Sequence, residues 1–525
     1  MPALLRCRFA LVLALGLFAF ACDQSDPEPN SDPAPVLPAF VSELMLMPDP
    51  FGVAPLTARV DAVTTEPTSV EVVVAGQGSD GIEMRRRFEA VATAHTVPVL
   101  GLYPGTDNTV TLRFFDADGT LLGSVAETFP TGPLADDFPA VEIDVAPTMQ
   151  AKPGVNLVSY FGHRSTITPQ RAFAFDAVGD IRWALDFTGD PILGSLFYDN
   201  GVERLANGNL YFADRTTSRI YEVTMLGQVV NTWDMPGYTF HHQVLEKPNG
   251  NFLATVNKIG LATVEDHVIE IDRASGAIVN VWDLNAALDN QRRAWPTDLA
   301  DLDIDWFHAN AVEYDAATDA IIVSGRTQGV VKLTTSNEVV WMLAPHRDWG
   351  TAGDGTDLTT RLLQPLDAAS APITEAAVLD GSANHPDFEW AWYQHAPTLM
   401  PDGRLLVFDN GDTRNYVPNG SGPLYSRAVA YRIDDVARTI QQTWQYGKER
   451  GAATYSRIVS DVDVHAETGT VLFTPGAAAG SAPHGKIVEV DPSTQTVVFE
   501  ATVTPPTAPF GITFHRVERL SLYPE

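Results

Sequence analysis

The sequence predicts an all-β protein in which a six-bladed β-propeller follows a small N-terminal β-sandwich. Three observations predict this fold. One strand-turn-strand unit, with Asn-Gly or Asp-Gly at its turn, recurs along the chain after residue 150. The 39 glycines and 37 prolines favour short strands and tight turns over long helices. No segment shows a sustained helical periodicity.

The N-terminal segment has the pattern of a leader for export. Arg6 and Arg8 precede an apolar run that ends before Cys22, which predicts a signal peptide over residues 1–21. Residues 22–38 are polar and rich in proline, as in a flexible tether. Cys22 stands where a bacterial lipoprotein is cleaved and acylated. We therefore expect an exported protein of the periplasm or cell envelope with a lipid on Cys22; the alternative is secretion with Cys22 unmodified.

Residues 39–145 form the predicted sandwich. Strand-like runs at 70–76, 95–104 and 108–123 are apolar or alternate, and an Asp-Ala-Asp-Gly sequence at 116–119 predicts a hairpin turn. The length suits an immunoglobulin-like sandwich. A linker-like composition after Thr131 places the end of this domain near residues 140–150.

Residues 150–525 form the predicted propeller. Six related units indicate six four-stranded blades, each ending in an aromatic residue, with residues 512–524 closing the ring against residues 155–165. An array of β-sandwiches is the alternative. The insertion at 348–387 is expected to form a lid over the funnel. Five units are centred on a turn: ANGNLYFAD (206–214), KPNGNFLATV (247–256), YDAATDAIIVSG (314–325), MPDGRLLVFDNG (400–411) and AETGTVLFTPG (466–476). A sixth, RAFAFDAVGDIRWAL (171–185), lacks the Asn-Gly or Asp-Gly turn and opens the series.

Charge and cysteine content exclude several classes of function. The chain has 34 basic and 66 acidic residues, a net charge of −32. Nucleic acid and anionic membrane surfaces need basic patches, so neither is expected as the main partner, and membrane contact is expected only through the lipid. Cys7 and Cys22 are the only cysteines. The folded body therefore has no disulfide, thiolate metal site or cysteine nucleophile.

Histidines recur at one phase of the repeat. Counting back eight residues from Gly250 reaches His242, and the same count from Gly403 reaches His395. When the longer turn is allowed for, His308 occupies the same phase in the unit between them. This phase is the start of the innermost strand, which lines the axial channel of a propeller. The three imidazoles are therefore expected to converge.

Further polar residues are expected at the same funnel. Ser460 has the matching phase in the unit after His395, and His241 adjoins His242. Asn310 projects to the same side of its strand as His308, two residues away. Arg326 lies at the end of the following strand and can return to the same face.

This set of side chains suits an oxyanion substrate, with an imidazole as nucleophile or acid and base. Three histidines also suit zinc or iron, but the presence of Arg326 and the lack of an aligned Asp or Glu argue against a divalent cation. We therefore expect no metal and no cofactor. For any single histidine a place in the core is the ordinary explanation; for three at one phase it is not.

Four segments resemble the bacterial arylsulfate sulfotransferases: FHHQVLEKPNGNFLATV (240–256), DWFHANAVEYDAATDAIIVSGRTQ (305–328), FEWAWYQHAPTLMPDGRLLVFDNG (388–411) and RVERLSLYP (516–524). The segment HTVPVLGLYPGTDNTV (95–110) is similar to the N-terminal domain of that family. The resemblance implies an exported six-bladed propeller with a β-sandwich. It also implies transfer of a sulfuryl group from a phenolic sulfate ester to a phenolic acceptor, without a nucleotide donor or a metal.

The resemblance further implies a ping-pong mechanism through a sulfohistidine. It matches His395 to the nucleophile and matches the other site residues to His242 or His241, His308, Asn310 and Arg326, with Ser460 in the place of a hydroxyl residue. On this basis we expect His395, His308 and His242 to be catalytic, and Arg326, Asn310, His241 and Ser460 to bind the substrate. Ala311 and Tyr393 depart from the family pattern, in which a small hydroxyl residue and a glycine are usual. Taken alone, the residues leave open a metal-dependent hydrolase of the lactonase or phosphatase type and a surface binding propeller without catalysis. They also allow a homodimer.

Overall fold

The computed structural model describes residues 37–161, 170–199, 201–293, 295–418, 420–478, 484–506 and 512–524. The predicted signal peptide, Cys22 and almost all of the tether lie outside these residues. The described helices are short: α1 (Leu284–Ala287), α2 (Ala376–Leu379) and the 3₁₀ segments Leu358–Arg361, Arg414–Tyr416 and Lys448–Thr454. None of them has the length and apolar character that crossing a membrane requires. Strands form the rest of the regular structure, which confirms the all-β prediction.

The first five strands form one sheet around one apolar core. They are β1 (Val41–Pro48), β2 (Thr57–Val74), β3 (Met84–Leu100), β4 (Asp107–Phe115) and β5 (Leu121–Pro130). The long β2 pairs with β1 through its first half, with β4 through its second half and with β3 along most of its length. The predicted hairpin turn joins β4 to β5, with Gly119 at a φ of 82°.

The chain continues through β6 (Ala140–Val145), β7 (Val155–Tyr160), β8 (Arg171–Phe175) and β9 (Ile181–Leu185). Two four-stranded sheets follow, β10 (Glu203–Arg204), β11 (Leu210–Asp214), β12 (Arg219–Val223) and β13 (Val229–Asp234), then β14 (Tyr238–Glu246), β15 (Phe252–Lys258), β16 (His267–Ile271) and β17 (Ile278–Asp283).

A third sheet contains β18 (Ala309–Asp315), β19 (Ala320–Gly325), β20 (Gly329–Thr334) and β21 (Val339–Leu343). A fourth contains β22 (Gln364–Leu366), β23 (His395–Leu399), β24 (Leu405–Asp409), β25 (Arg427–Asp434) and β26 (Thr439–Tyr446). A fifth contains β27 (Asp461–His465), β28 (Thr470–Thr474), β29 (Gly485–Asp491) and β30 (Thr496–Thr504), with β6 added at its edge. The end of the segment assigned to the sandwich, residues 140–145, therefore pairs within this sheet.

The last strand, β31 (Phe514–Leu520), pairs with β7 and completes a sheet with β8 and β9. This pairing confirms the predicted closing strand. The first strands of successive sheets also lie side by side, from β14 through β18, β23 and β27 to β31. Residues at the starts of these strands are thereby brought together.

The repeated turns explain why the sheets are alike. Gly208, Gly250, Gly403 and Gly469 stand at one place in their units, between the first and second strands, with φ between 71° and 89°. Glycine adopts this left-handed backbone without a steric penalty, so the hairpin register is fixed. The predicted strand-turn-strand units are confirmed at these positions.

A tryptophan near the end of the outermost strand links one sheet to the next. Its indole N–H donates to a backbone or carboxylate oxygen in the turn before the last strand of the neighbouring sheet. Burial of the ring excludes water, and the hydrogen bond satisfies the indole N–H. The donor and acceptor pairs are Trp183 and Met225, Trp233 and Arg273, Trp282 and Thr334, Trp341 and Asp435, and Trp444 and Pro492, at 2.8–3.0 Å.

The strand of the insertion at 348–387 does not lie over the funnel, contrary to the lid prediction. β22 pairs in parallel with β26, the outermost strand of its sheet in the described order. Hydrogen bonding to this open edge satisfies the backbone of β22. The helix α2 has a different contact, because the Trp390 indole, in the segment before β23, donates to the carbonyl of Val378.

Candidate active site

Irregular pairing at the starts of the first strands presents the candidate residues. The register of β14 shifts between Phe240 and Val244, and that of β23 shifts between His395 and Thr398. Similar shifts occur in β18 and β31. A bulge bends its strand and redirects a side chain. His242 and His308 have φ values of 63° and 56°, a left-handed conformation in which histidine is enriched among non-glycine residues.

The structure brings the three predicted histidines into one buried cluster. Nε2 of His242 lies 2.9 Å from Nε2 of His308, and the ring centroids of His242 and His395 are 6.4 Å apart. Each of the three residues is at most 7% exposed. Burial and the neighbouring imidazoles lower the pKa of His242 well below its usual value. His242 is therefore neutral at pH 7, and its Nε2 accepts a hydrogen bond from Nε2–H of His308.

The ring of His395 is held in one tautomer. Its Nδ1 lies 2.8 Å from Oδ1 of Asn410 and 3.0 Å from the carbonyl of Tyr393. The Asn410 amide nitrogen donates to the carbonyls of Ser456 and Val459, which fixes the amide oxygen toward the imidazole. Both neighbours of Nδ1 are acceptors, so Nδ1 carries the proton and Nε2 keeps its lone pair.

His395 is also uncharged. Burial lowers its pKa to about 3, against the opposing effect of the Asn410 hydrogen bond and with the help of the Arg326 charge. A neutral imidazole with a free lone pair at Nε2 is a competent nucleophile at neutral pH.

Two carboxylates contact the opposite nitrogen of His308. Nδ1 donates to Oδ2 of Asp305 at 2.7 Å and also contacts Oε2 of Glu265. Burial and the Arg326 charge lower the pKa of His308, but these carboxylates outweigh both and raise it above its usual value. His308 therefore holds a proton more readily than an ordinary histidine.

His241 faces the carboxylates on the other side of the cluster. Its Nε2 lies 2.8 Å from Oε1 of Glu265 and 3.4 Å from Oδ2 of Asp199. Asp199 also accepts the backbone N–H of His242 at 2.9 Å. Burial raises the pKa of Glu265, but His308 and His241 overcome this and hold it well below its usual value. Glu265 is therefore ionised and shared by two imidazoles.

Arg326 and Asn310 lie beside the histidines. The guanidinium contacts Asp305 only at 3.5 Å, and Nε has no hydrogen-bond partner among the described residues. A buried guanidinium with so few hydrogen-bond partners in the protein can bind an anion. The Asn310 amide nitrogen donates to the carbonyl of Gln394 at 2.8 Å, which ties Asn310 to the segment before His395.

Ser460 has different contacts. Its hydroxyl donates to Oγ of Ser456 at 2.8 Å and accepts the backbone N–H of Gly476 at 3.0 Å. These bonds hold a loop beside the site. The structure gives no contact between the Ser460 hydroxyl and the histidines, although its backbone φ of 86° repeats the left-handed conformation of His242 and His308.

One histidine was missed by the sequence reasoning. His515, at the start of β31, is 4% exposed, and its ring centroid lies 6.0 Å from that of His242 and 4.7 Å from that of Phe161. Burial lowers its pKa to about 4. The sequence contained a signal for it, because His515 stands at the start of the predicted closing strand, just as His242 and His395 stand at the starts of theirs.

The sequence analysis considered only carboxylates at the aligned phase, and three carboxylates reach the site from elsewhere. Asp199, Glu265 and Asp305 all contact the histidines and come from loops outside that phase. Two groups of three have ligand atoms close enough to hold a metal ion, namely Asp199, His241 and His242, and His242, Glu265 and His308. The argument against a divalent cation that rested on missing carboxylates therefore fails.

Comparison with known proteins adds to this geometry. A family model described as Arylsulfotransferase (ASST) matches residues 144–509, and one described as the arylsulfotransferase Ig-like domain matches residues 45–131. The chain belongs to the arylsulfotransferase family. The predicted family membership and enzyme class are confirmed.

Two curated arylsulfotransferases are similar over most of their length. The arylsulfate sulfotransferase of Escherichia coli O6:H1 is 30% identical, and the match covers 87% of this chain and 89% of that protein. The arylsulfate sulfotransferase of Lelliottia amnigena is 29% identical over 94% of both chains. Among solved structures, virginiamycin B lyase from Staphylococcus aureus is 11% identical and covers 83% of this chain and 99% of its own, with a TM-score of 0.31, which is too low to bear on the fold.

Proposed function

We propose that this arylsulfotransferase moves a sulfuryl group from a phenolic sulfate ester to a phenolic acceptor by a ping-pong mechanism, with a sulfohistidine at His395. The observation that carries the proposal is the state of that imidazole, which is neutral, has its proton on Nδ1 and has a lone pair on Nε2. Family membership supports aryl sulfate as the donor class.

In the first half-reaction, Nε2 of His395 attacks the sulfur and forms an N–S bond while the bond from sulfur to the aryl oxygen breaks. Arg326 neutralises the sulfuryl oxygens, and Asn310 supports them from the adjacent strand. The proton held between His308 and His242 passes to the departing phenolate oxygen.

In the second half-reaction, the acceptor phenol attacks the same sulfur. Its proton returns to the pair formed by His308 and His242, and the N–S bond breaks to release neutral His395. His241 steadies the pair through its shared carboxylate. The hydroxyl of Ser460 holds the loop beside the site in place through its bonds to Ser456 and Gly476.

We also propose the finer architecture and location. The six sheets after the first are the blades of a six-bladed propeller. Strands β1–β5 share one sheet, and this sheet, folded over its own core, is the N-terminal β-sandwich. The leader exports the chain to the periplasm or cell envelope, where a lipid on Cys22 anchors it. The charged start, apolar run and proline-rich tether support this location. Labelling with a palmitate analogue tests it, because wild type should be marked and Cys22→Ser should not.

A burst experiment tests the mechanism. Mixing the protein with 4-nitrophenyl sulfate and no acceptor should release about one equivalent of nitrophenolate, since the first half-reaction stops at the sulfohistidine. Mass spectrometry should find one sulfuryl group on the peptide that contains His395, and added phenol should remove it. His395→Asn should abolish the burst and the turnover while keeping the thermal transition.

His465→Asn is the matched control, because His465 is equally buried, contacts Glu489 and lies at the end of β27 that is remote from the histidine cluster. It should keep a full burst. Sulfuryl transfer without a burst, or a label on His308, would contradict the assignment. Loss of transfer in chelator with recovery on adding zinc would favour a metal-dependent enzyme, and binding of aryl sulfate without turnover would favour a binding propeller.

A further inference from the structure

Glu265 joins two histidines that come from different parts of the site. It precedes β16, and its side chain is about 10% exposed. Oε1 accepts the Nε2 hydrogen of His241 at 2.8 Å, and Oε2 contacts Nδ1 of His308. A single carboxylate therefore lies between both rings and contacts each of them.

The backbone of Glu265 is fixed from both sides. Its N–H donates to the side-chain oxygen of Asn257 at 2.6 Å, and its carbonyl accepts the N–H of Ala309 at 2.8 Å. Its φ of 58° lies in the left-handed region, which is uncommon outside glycine. A non-glycine residue in this conformation needs such support, so the carboxylate is held where the histidines require it.

The contact with Nδ1 decides what His308 can do. A carboxylate at Nδ1 keeps a proton on that nitrogen and favours the imidazolium form, so the second transferable proton is on Nε2. Nε2 faces His242 at 2.9 Å, on the side where the leaving oxygen would take a proton. Asp305 accepts the hydrogen bond of Nδ1 at 2.7 Å and also lies 3.5 Å from Arg326. Oε2 of Glu265 adds an ion contact to the same nitrogen without a hydrogen bond to it, and Oε1 of Glu265 faces His241.

We propose that Glu265 is a positioning residue of the acid–base histidine: its charge, beside the Asp305 hydrogen bond, keeps Nδ1 of His308 protonated and Nε2 directed toward His242, and the same carboxylate holds His241. This inference rests on the proposed role of His308 as the proton donor to the leaving phenolate. Nothing in it requires Glu265 to touch the substrate.

The test compares donors with leaving phenols of different acidity. A proton donor matters most when the leaving phenolate is basic, and it contributes about 100-fold to 10,000-fold in such cases. With a fixed phenol acceptor, Glu265→Gln should lower kcat/KM for phenyl sulfate by about 100-fold or more and for 4-nitrophenyl sulfate by less than about 10-fold. The KM for the donor should change little, because Arg326 is untouched.

Glu489→Gln is the matched control. Glu489 is a buried carboxylate that contacts Nδ1 of His465 at 3.1 Å, so its loss disrupts the same kind of pair away from the site. It should leave the dependence on the leaving group unchanged. If Glu265→Gln fails to fold, Glu265→Asp keeps the charge at a shorter reach, and it should give the same trend with smaller losses.

Equal losses for both donors, or no loss, would overturn the proposal. Recovery of the chelated wild type by zinc would also overturn it, because Glu265 would then be a metal ligand beside His242 and His308. Two results distinguish the role of Glu265 from the proposed function. If the wild type transfers no sulfuryl group, both proposals are wrong. If the burst at His395 is normal and Glu265→Gln leaves the dependence of kcat/KM on the leaving phenol unchanged, only the role of Glu265 is wrong.

Discussion

Replacing Asn410 with alanine tests whether the tautomer of the nucleophile is imposed by its neighbours. The Asn410 side chain makes three buried hydrogen bonds: it accepts from Nδ1 of His395 at 2.8 Å and donates to the carbonyls of Ser456 and Val459 at 2.9 Å each. Alanine removes all three and leaves the backbone of β24 and the loop after it otherwise unchanged.

The expected magnitudes follow from these contacts. A net loss of about 1 kcal/mol per hydrogen bond lowers the free energy of unfolding by about 3 kcal/mol. The carbonyl of Tyr393 still accepts from Nδ1 at 3.0 Å, so Nε2 keeps its lone pair and the chemistry is weakened but not lost. Removing one orienting bond worth about 1 kcal/mol slows the burst by about fivefold.

The assay is the rate of the nitrophenolate burst with 4-nitrophenyl sulfate, together with urea unfolding. Asn108→Ala is the control, because Asn108 is equally buried, accepts the N–H of Tyr103 at 2.7 Å and donates to its carbonyl at 3.0 Å, within β4. It should cost similar stability and leave the burst unchanged. A burst in Asn410→Ala as fast as in wild type, or one slowed as much as in Asn108→Ala, would refute the role of Asn410 in orienting His395.

Three further predictions concern pH and stability. Because the pKa of His395 is about 3, the burst rate should fall by less than about twofold between pH 7 and pH 5, whereas an unshifted histidine would lose more than tenfold; stopped-flow absorbance measures it. Burial lowers the pKa of His267, but Asp266 and a second carboxylate raise it to about 9, so the stabilisation is complete below about pH 6.5 and is lost as the pH rises through 9. That loss is about 3 kcal/mol, and urea unfolding should find it in wild type and not in His267→Gln. Trp282→Phe should cost about 1–2 kcal/mol by removing the bond to Thr334, with an unchanged burst.

The sequence predicted the histidine cluster because the turns fix the register of the repeat. Gly250 and Gly403 set where the hairpins begin, so a constant count from them locates one phase of the first strand. A one-residue slip would turn the side chains to the other face, and the burial of the sheets forbids it. His242 and His395 could therefore be placed at a common site without any tertiary information.

The same method could not find the residues that support the histidines. His515 opens a strand that lies at the end of the chain and pairs with β7 near its beginning, so it has no preceding turn from which to count. Glu265 stands before the third strand of its sheet, and Asp305 lies in the loop before β18. Loops reach the site according to how the sheets pack together, and periodicity within a strand carries no information about that packing.

The balance of charge explains how a chain with a net charge of −32 can bind an anion at this site. Glu265 and Asp305 place their negative charges on the Nδ1 side of His308 and so are neutralised in part by that imidazolium. Arg326 keeps an unpartnered Nε among the described residues. Because buried charges interact strongly, an unpaired carboxylate would repel a sulfate ester, and one paired with an imidazolium repels it far less. The carboxylates therefore keep His308 protonated, as a proton donor must be, without cancelling the positive charge of the Arg326 guanidinium.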